Sequence, residues 1–300
     1  MVYVATLISD PSDPCVSRDI VSAARGALAE AGEAHVLHAD VAVDIPFDPP
    51  LGAEPREIAA QVRAALSGAP VDVVVQLAAD RRKRLFVADM DSTIIRQECI
   101  DELADLVGIK DRVSAITERA MRGEIAFEPA LRERVALLKG LSAGVVDDLL
   151  RERITLTPGG PELVATMKAH GAYTVLVSGG FTLFTQAIAT RVGFDEQRAN
   201  RLLVEETGTF AGLVEEPILG RDAKTAALIA YRDRLRLSPS ETLAVGDGAN
   251  DLGMLGEAGI GVAFHAKPKV AEAAHVRIDH GDLTALLYMQ GYTHEEFARI

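Results

Sequence analysis

Two cysteines in 300 residues, Cys15 and Cys99, are too few for a disulfide framework, and both read as free thiols of a reducing compartment. Positive charge is also scarce. Lys and Arg number 31 against 44 Asp and Glu, and the resulting net charge of −13 repels phosphate backbones and argues against a nucleic-acid partner. The one basic run, Arg81-Arg82-Lys83-Arg84, reads as a solvated connector ahead of a buried strand. No window approaches the ~20 uninterrupted apolar residues of a membrane span, since the strongest, Val71 to Ala79, holds Asp72 and Gln76. The start, Met1 to Asp10, has no basic leader and soon meets Pro11, so it is expected to be a mature first strand, not a secretory signal. Internal repeats and low-complexity tracts are lacking. These absences leave a cytoplasmic globular protein without a membrane partner, whose 48% hydrophobic content suffices for a substantial core and two domains.

What is present is α/β patterning. Residues 1–80 read as strand (Met1 to Ile8), helix (Ser17 to Ala31), strand (Ala34 to Val43), helix (Pro55 to Leu66) and strand (Val71 to Leu77), with Ile45 to Gly52 as a proline-punctuated loop or edge extension. No catalytic cluster falls there. This unit reads as a regulatory or oligomerising domain, the expected seat of any homo-oligomer contact, and the basic run after Asp80 marks its boundary. After a buried strand at Leu85 to Ala88, four helices are predicted: Glu98 to Val107, Lys110 to Met121, Phe127 to Leu138 and Ala143 to Arg153. Pro158 to Pro161 break that run. Beyond it helix and strand alternate, with strands at Tyr173 to Val177, Thr242 to Val245 and Gly261 to Phe264, helices from Phe181, over Ala223 to Leu235 and over Asp251 to Ala258, and a hairpin around Thr207-Gly208-Thr209. Alternation of this kind predicts a parallel sheet covered on both faces, whose ligand lies at the carboxyl ends of the strands.

Three strand ends carry polar residues. The first delivers Asp89 and Asp91, the second Ser178-Gly179-Gly180, and the third Gly246-Asp247-Gly248-Ala249-Asn250-Asp251, while Lys224 sits at the start of a helix. Two carboxylates one residue apart at the end of a buried strand each cost several kcal/mol to desolvate, on the order of a lost buried polar partner, unless something compensates them. A phosphate ligand gives every part a task. Ser178, Gly179 and Gly180 before a helix form an anion-binding turn, and Lys224 supplies positive charge. Asp89 and Asp247 can hold a hard divalent cation such as magnesium. One carboxylate of the first pair can attack phosphorus and its neighbour can protonate the leaving oxygen. Gly246-Asp247-Gly248 is not a dinucleotide fingerprint, because Asp251 stands where the third glycine belongs.

The order Asp-x-Asp-Ser-Thr, Ser-Gly-Gly, Lys and Gly-Asp-Gly-x-Asn-Asp resembles the haloacid dehalogenase superfamily over about Leu85 to Leu286, and within it the phosphoserine phosphatase family. The resemblance extends to Glu98 to Glu102, Ala120-Met121-Arg122-Gly123 and Phe127 to Arg134 in the helical segment, where Glu98, Met121, Phe127 and Arg134 match that family's substrate-binding cap. It implies a HAD-like Rossmannoid parallel sheet formed by residues 81–96 and 158–300, a cap insert at 97–157, and at 1–80 a small unit loosely similar to an ACT domain. It implies that Asp89 is the nucleophile that becomes an aspartyl phosphate and that Asp91 is acid and then base. Magnesium would be held by Asp89, the Asp91 carbonyl and Asp247, with Asp251 supporting nearby. Ser178, Gly179, Lys224 and Asn250 would grip the phosphoryl group. The cap residues suit a zwitterionic amino acid: Arg134 matches a carboxylate, Glu98 an ammonium, and Met121 and Phe127 close apolar surface over the substrate. The expected activity is magnesium-dependent hydrolysis of O-phosphoserine, the last step of serine formation. Rivals on the same scaffold are phosphotransfer to an alcohol such as homoserine, a broader phosphomonoesterase, and a non-catalytic binding protein.

Overall fold

The computed structural model describes residues 2–121 and 124–300, and of Ala120 and Met121 only the helical backbone. The N-terminal unit runs β1 (Tyr3–Ile8), α1 (Arg18–Gly26), β2 (His35–His38), β3 (Ala42–Phe47), α2 (Pro55–Ala65) and β4 (Asp72–Leu77). Its sheet has the order β2-β3-β1-β4, antiparallel throughout. The single strand expected at Ala34 to Val43 is instead a hairpin, because Asp40 turns the chain in the left-handed region at φ 59°. The stretch Ile45 to Gly52, expected as a loop or edge extension, begins as an extension, with Ile45 to Phe47 ending β3. Pro46 is tolerated there for a definable reason. Its carbonyl accepts the Gly32 N–H at 2.8 Å, so its missing donor also faces that side, beyond His35, where the pairing with β2 has ended.

The alternation of strand residues sends each face of this sheet to a different neighbour. Ala5, Leu7, Val43, Ile45, Val73 and Val75 pack under α1 and α2, whereas Ile8, Ala42 and Val74 join the main core beside Tyr288 and Tyr292. Polar ties reinforce that second contact. Asp72 accepts the backbone N–H groups of Asp279 at 2.7 Å, His280 at 3.1 Å and Gly281 at 2.8 Å, and His38 Nδ1 lies 2.7 Å from the Tyr288 hydroxyl. Arg81 of the basic connector pairs with the buried Asp44 at 2.7 Å, and Lys83 is buried too, so part of that run is structural and not merely solvated.

The chain then enters β5 (Leu85–Ala88), every residue of which is buried, and leaves it through a tight turn at Met90–Ile94. Four helices follow: α3 (Cys99–Leu106), α4 (Lys110–Met121), α5 (Phe127–Ala136) and α6 (Val145–Glu152). The two segments that join them to the sheet run side by side. Ile95 and Leu156 form an isolated antiparallel bridge, and Arg96 N–H donates to the Thr155 carbonyl at 3.1 Å. The remainder is α7 (Gly160–Ala169), β6 (Tyr173–Phe181), α8 (Thr182–Val192), β7 (Glu196–Asn200), β8 (Leu202–Val204), β9 (Phe210–Val214), α9 (Arg221–Arg234), β10 (Thr242–Gly246), α10 (Leu252–Glu257), β11 (Ile260–Phe264), α11 (Pro268–Ala273), β12 (Val276–Ile278) and α12 (Ala285–Tyr288). Six of these strands form a parallel sheet in the order β12-β11-β10-β5-β6-β7, as the alternating pattern predicts.

The register fixes the site. Ala88 pairs with Val245 on one side and Leu176 on the other, so Asp89, Ser178 and Asp247 leave the sheet at neighbouring levels. One expectation fails here. Ser178-Gly179-Gly180 is not a turn but the extended end of β6, where the pairing with β7 loses its register between Val177 and Phe181. The glycines cost the strand little because this end lies at the ligand side of the sheet, where close approach matters more than side-chain packing.

Candidate active site

Asp89 continues β5, and its backbone N–H still donates to the Val245 carbonyl at 3.0 Å. Its side chain is buried with those of Lys224 and Asp251. Lys224, on the first turn of α9, sends its ammonium to Asp89 Oδ1 at 2.5 Å and to Asp251 Oδ1 at 2.6 Å. The second Asp251 oxygen accepts the Gly248 N–H at 3.0 Å. Room for that carboxylate exists because residue 246 is glycine: a Cβ there would lie 2.4 Å from Asp251 Cγ. Carboxylate oxygens of Asp89, Asp247 and Asp251 all fall within 4.8 Å of one another.

Asp89 and Asp251 share the Lys224 ammonium, with the Asp247 carboxylate beside them. Burial, then the Asp251 charge, hold Asp89 well above the usual carboxylate range against the pull of Lys224. Burial and Asp251 likewise push Asp247 up to about 6, against Lys267 and Lys224. Burial alone would lower the pKa of Lys224, but Asp89 and Asp251 outweigh it and keep the ammonium charged. An all-oxygen cluster with uncompensated negative charge fits a hard divalent cation, the donor set that magnesium takes.

Asp91 points elsewhere. It lies in the turn after β5, just before Ser92 at φ 56°, and its carboxylate faces the helical insert. Asp91 Oδ1 accepts the Cys99 N–H at 2.9 Å, and Oδ2 accepts the Ser178 hydroxyl at 3.0 Å. The two carboxylates of the Asp-x-Asp pair are thereby divided, one among the buried cluster and one across the cleft. Ser178 Oγ also accepts the Gly180 N–H at 2.8 Å.

Glu98 precedes α3 and is exposed, close to the Asp91 end of the sheet domain. It accepts the Ser92 hydroxyl at 2.7 Å, and the surrounding protein, with Asp91 next in effect, pushes it up to about 7. Arg134, on α5, is half-buried, and its guanidinium donates to the Ala130 carbonyl at 3.3 Å and the Thr117 hydroxyl at 3.4 Å. Burial lowers its pKa, opposed by the nearby charges of Asp101 and Glu98, so the expected acid and base of the insert do share one electrostatic neighbourhood. Phe127 begins α5 and lays its ring against Gly179 and Gly220 of the sheet domain. Asn250 sits in the loop before α10, and no hydrogen bond to its side chain was found among the described residues. The Met121 side chain and residues Arg122 and Gly123 lie outside the described residues.

Sequence reasoning passed over Asn200. It is buried at the end of β7, donating from Nδ2 to the carbonyls of Gly179 at 2.9 Å and Leu219 at 3.2 Å and accepting the Leu219 N–H at 2.7 Å. A polar residue inside a five-residue edge strand, Glu196-Gln197-Arg198-Ala199-Asn200, gave the only signal.

The site geometry accords with a family match. The haloacid dehalogenase-like hydrolase model matches residues 86–256, more than half of the chain. This chain belongs to that family. Among curated HAD relatives, a phosphoserine phosphatase from Polaromonas sp. is 47% identical over 208 residues, covering 68% of this chain and 88% of the relative. Among solved structures, a HAD family hydrolase from Salmonella enterica subsp. enterica serovar Typhi covers 96% of this chain and 98% of its own at TM-score 0.84 and 27% identity, so the likeness includes the N-terminal unit. A phospho-aspartyl intermediate analogue of phosphoserine phosphatase is 38% identical, covering 69% of this chain and 98% of that one at TM-score 0.62. Among the described residues, no helix of this HAD protein is long and apolar enough to cross a membrane.

Proposed function

We propose that this chain is a phosphoserine phosphatase, hydrolysing O-phospho-L-serine to serine and phosphate through an aspartyl phosphate on Asp89. The observation that carries the reading is the pairing of a buried Asp89–Lys224–Asp251 cluster with an Asp91 that faces the cap. The similarity to curated phosphoserine phosphatases and to the phospho-aspartyl analogue supports it.

In this reading the phosphoryl group of the substrate enters at the ends of β5, β6 and β10. Asp89 attacks phosphorus, and Asp91 passes a proton to the departing seryl oxygen, which as an alkoxide would be a poor leaving group. Asp91 then takes a proton from the water that attacks the aspartyl phosphate. Ser178, the Gly179 N–H, Lys224 and Asn250 hold phosphoryl oxygens, while the Gly180 N–H, expected to join them, is already given to Ser178 Oγ. Asp89, the Asp91 carbonyl and Asp247 would hold magnesium, with Asp251 beside them. Bound there, the ion supplies positive charge against the phosphoryl oxygens and relieves the crowding of carboxylates. From the cap, Arg134 recognises the substrate carboxylate, Glu98 its ammonium, and Phe127, with Met121, excludes water. Residues 97–157 act as the cap and 81–96 with 158–300 as the catalytic domain. The unit at 1–80, whose β-α-β-β-α-β order is the ferredoxin-like arrangement that an ACT-like domain would share, is assigned to regulation or self-association. We place the enzyme in the cytoplasm.

Phosphate release across a panel of phosphomonoesters, with magnesium and with a chelator, tests the reading. Preferred turnover of phosphoserine that the chelator abolishes is expected. Equal turnover of all esters, or none with magnesium present, contradicts it.

A further inference from the structure

Asn200 lies on the far side of β6 from Asp91, and a continuous set of hydrogen bonds connects them. We propose that Asn200 is a positioning residue that aims the Asp91 carboxyl through one peptide plane, an inference that rests on Asp91 being the proton donor. The Asn200 amide donates to the Gly179 carbonyl at 2.9 Å. That carbonyl belongs to the same planar unit as the Gly180 N–H, so fixing one end fixes the direction of the other. The Gly180 N–H donates to Ser178 Oγ at 2.8 Å, which leaves the Ser178 hydroxyl proton for Asp91 Oδ2 at 3.0 Å. The other Asp91 oxygen is held by the Cys99 N–H at 2.9 Å.

The need for such a tie comes from the sheet. The register between β6 and β7 breaks from Val177 to Phe181, so the two glycine peptides lose the regular ladder partners of an ordered strand. Two glycines in succession have no side chains to restrain them. The Asn200 amide supplies the missing partner and is itself anchored, its Oδ1 accepting the Leu219 N–H at 2.7 Å and its Nδ2 also donating to the Leu219 carbonyl at 3.2 Å. Through the same residue the Leu219–Gly220 segment and Gly179, on both of which the Phe127 ring rests, are held at a fixed separation.

A tie that merely stabilises the fold and a tie that aims an acid differ in their dependence on the leaving group. Serine departs as an alkoxide and needs the proton, whereas 4-nitrophenolate departs unaided. The informative quantity is kcat/KM, which reports the steps through departure of the leaving group. Asn200→Ala is expected to lower kcat/KM for phosphoserine about 10- to 100-fold, the scale of a misplaced catalytic group, while leaving that for 4-nitrophenyl phosphate nearly unchanged. Asn200→Asp keeps the size and the acceptor for the Leu219 N–H but, once ionised, cannot donate to the Gly179 carbonyl, so if the alanine variant does not fold it should show the same split growing as pH rises. Equal losses on both esters, or a lowered melting temperature with neither changed, overturn the proposal. Failure of the wild-type enzyme to prefer phosphoserine would instead count against the substrate assignment, and the two failures are distinguishable.

Discussion

The sheet domain and the helical cap handle charge in opposite ways. In the sheet domain Asp89, Lys224 and Asp251 are buried and bonded to one another before any substrate arrives. In the helical insert Glu98 is exposed, and Arg134 has only a helix carbonyl and a threonine hydroxyl as hydrogen-bond partners among the described residues. On the proposed reading the difference separates two tasks. Groups that act on phosphorus gain from being fixed in advance in a site of low polarisability, whereas groups that recognise an amino acid must leave their strongest partners to the substrate.

Substitutions can break that comparison. The largest effect is expected from Asp89→Asn, which removes the attacking oxygen and should lower kcat by about 10⁴-fold or more for phosphoserine and for an aryl phosphate alike. Retained turnover would place the nucleophile elsewhere. Arg134→Ala should act on one substrate only. Loss of a charge-assisted pair is expected to raise KM for phosphoserine about 10- to 100-fold, with that for an aryl phosphate little changed, and equal effects would remove Arg134 from carboxylate recognition. Phe127→Ala sharpens the boundary between the regions, because its ring belongs to the cap but rests on Gly179 and Gly220. A rise of a few-fold in KM for both esters is expected from steady-state assays.

The smallest effect concerns pH. Glu98 in the ligand-free protein sits at about 7, above its ordinary value of 4.5, so the folded form holds its proton more tightly than the unfolded chain. Its contribution to stability is therefore complete below about pH 4.5 and is lost as pH rises through 7. Glu98→Gln keeps an acceptor for Ser92 but cannot ionise. Thermal melts of the ligand-free protein should show the variant melting at or near the wild-type temperature at pH 5 and above it at pH 8. A gap that stays constant with pH would show that burial and Asp91 do not hold Glu98 above its ordinary value.

Much of the sheet domain could be read from sequence because each signal was local. The buried run Leu85 to Ala88, the short strand Thr242 to Val245 and the helix holding Lys224 all lie within a residue or two of their expected limits. The cap helices were equally legible, α4 with its expected bounds. Elements fixed by distant neighbours were not. β7 is a polar edge strand, β12 alternates over only three residues, and the alternation of β3 runs through a proline, so none carries a complete strand signal. The different surroundings of Asp89 and Asp91, on which their proposed roles rest, were invisible in their spacing, since they depend on Lys224, 135 residues from Asp89, and Ser178, 87 residues from Asp91. Asn200 escaped for the same reason: its partners are the backbones of the end of β6 and of the loop before α9, and backbone carries no sequence signature.

The central claim is that Asp89 attacks phosphorus. Rapid acid quenching during turnover of phosphoserine, followed by peptide mapping and mass spectrometry, tests it directly. One phosphoryl group on the peptide that contains Asp89, absent from the Asp89→Asn protein, is the predicted result. A phosphoryl group on a different residue, or turnover with no covalent adduct at any quench time, would contradict the account.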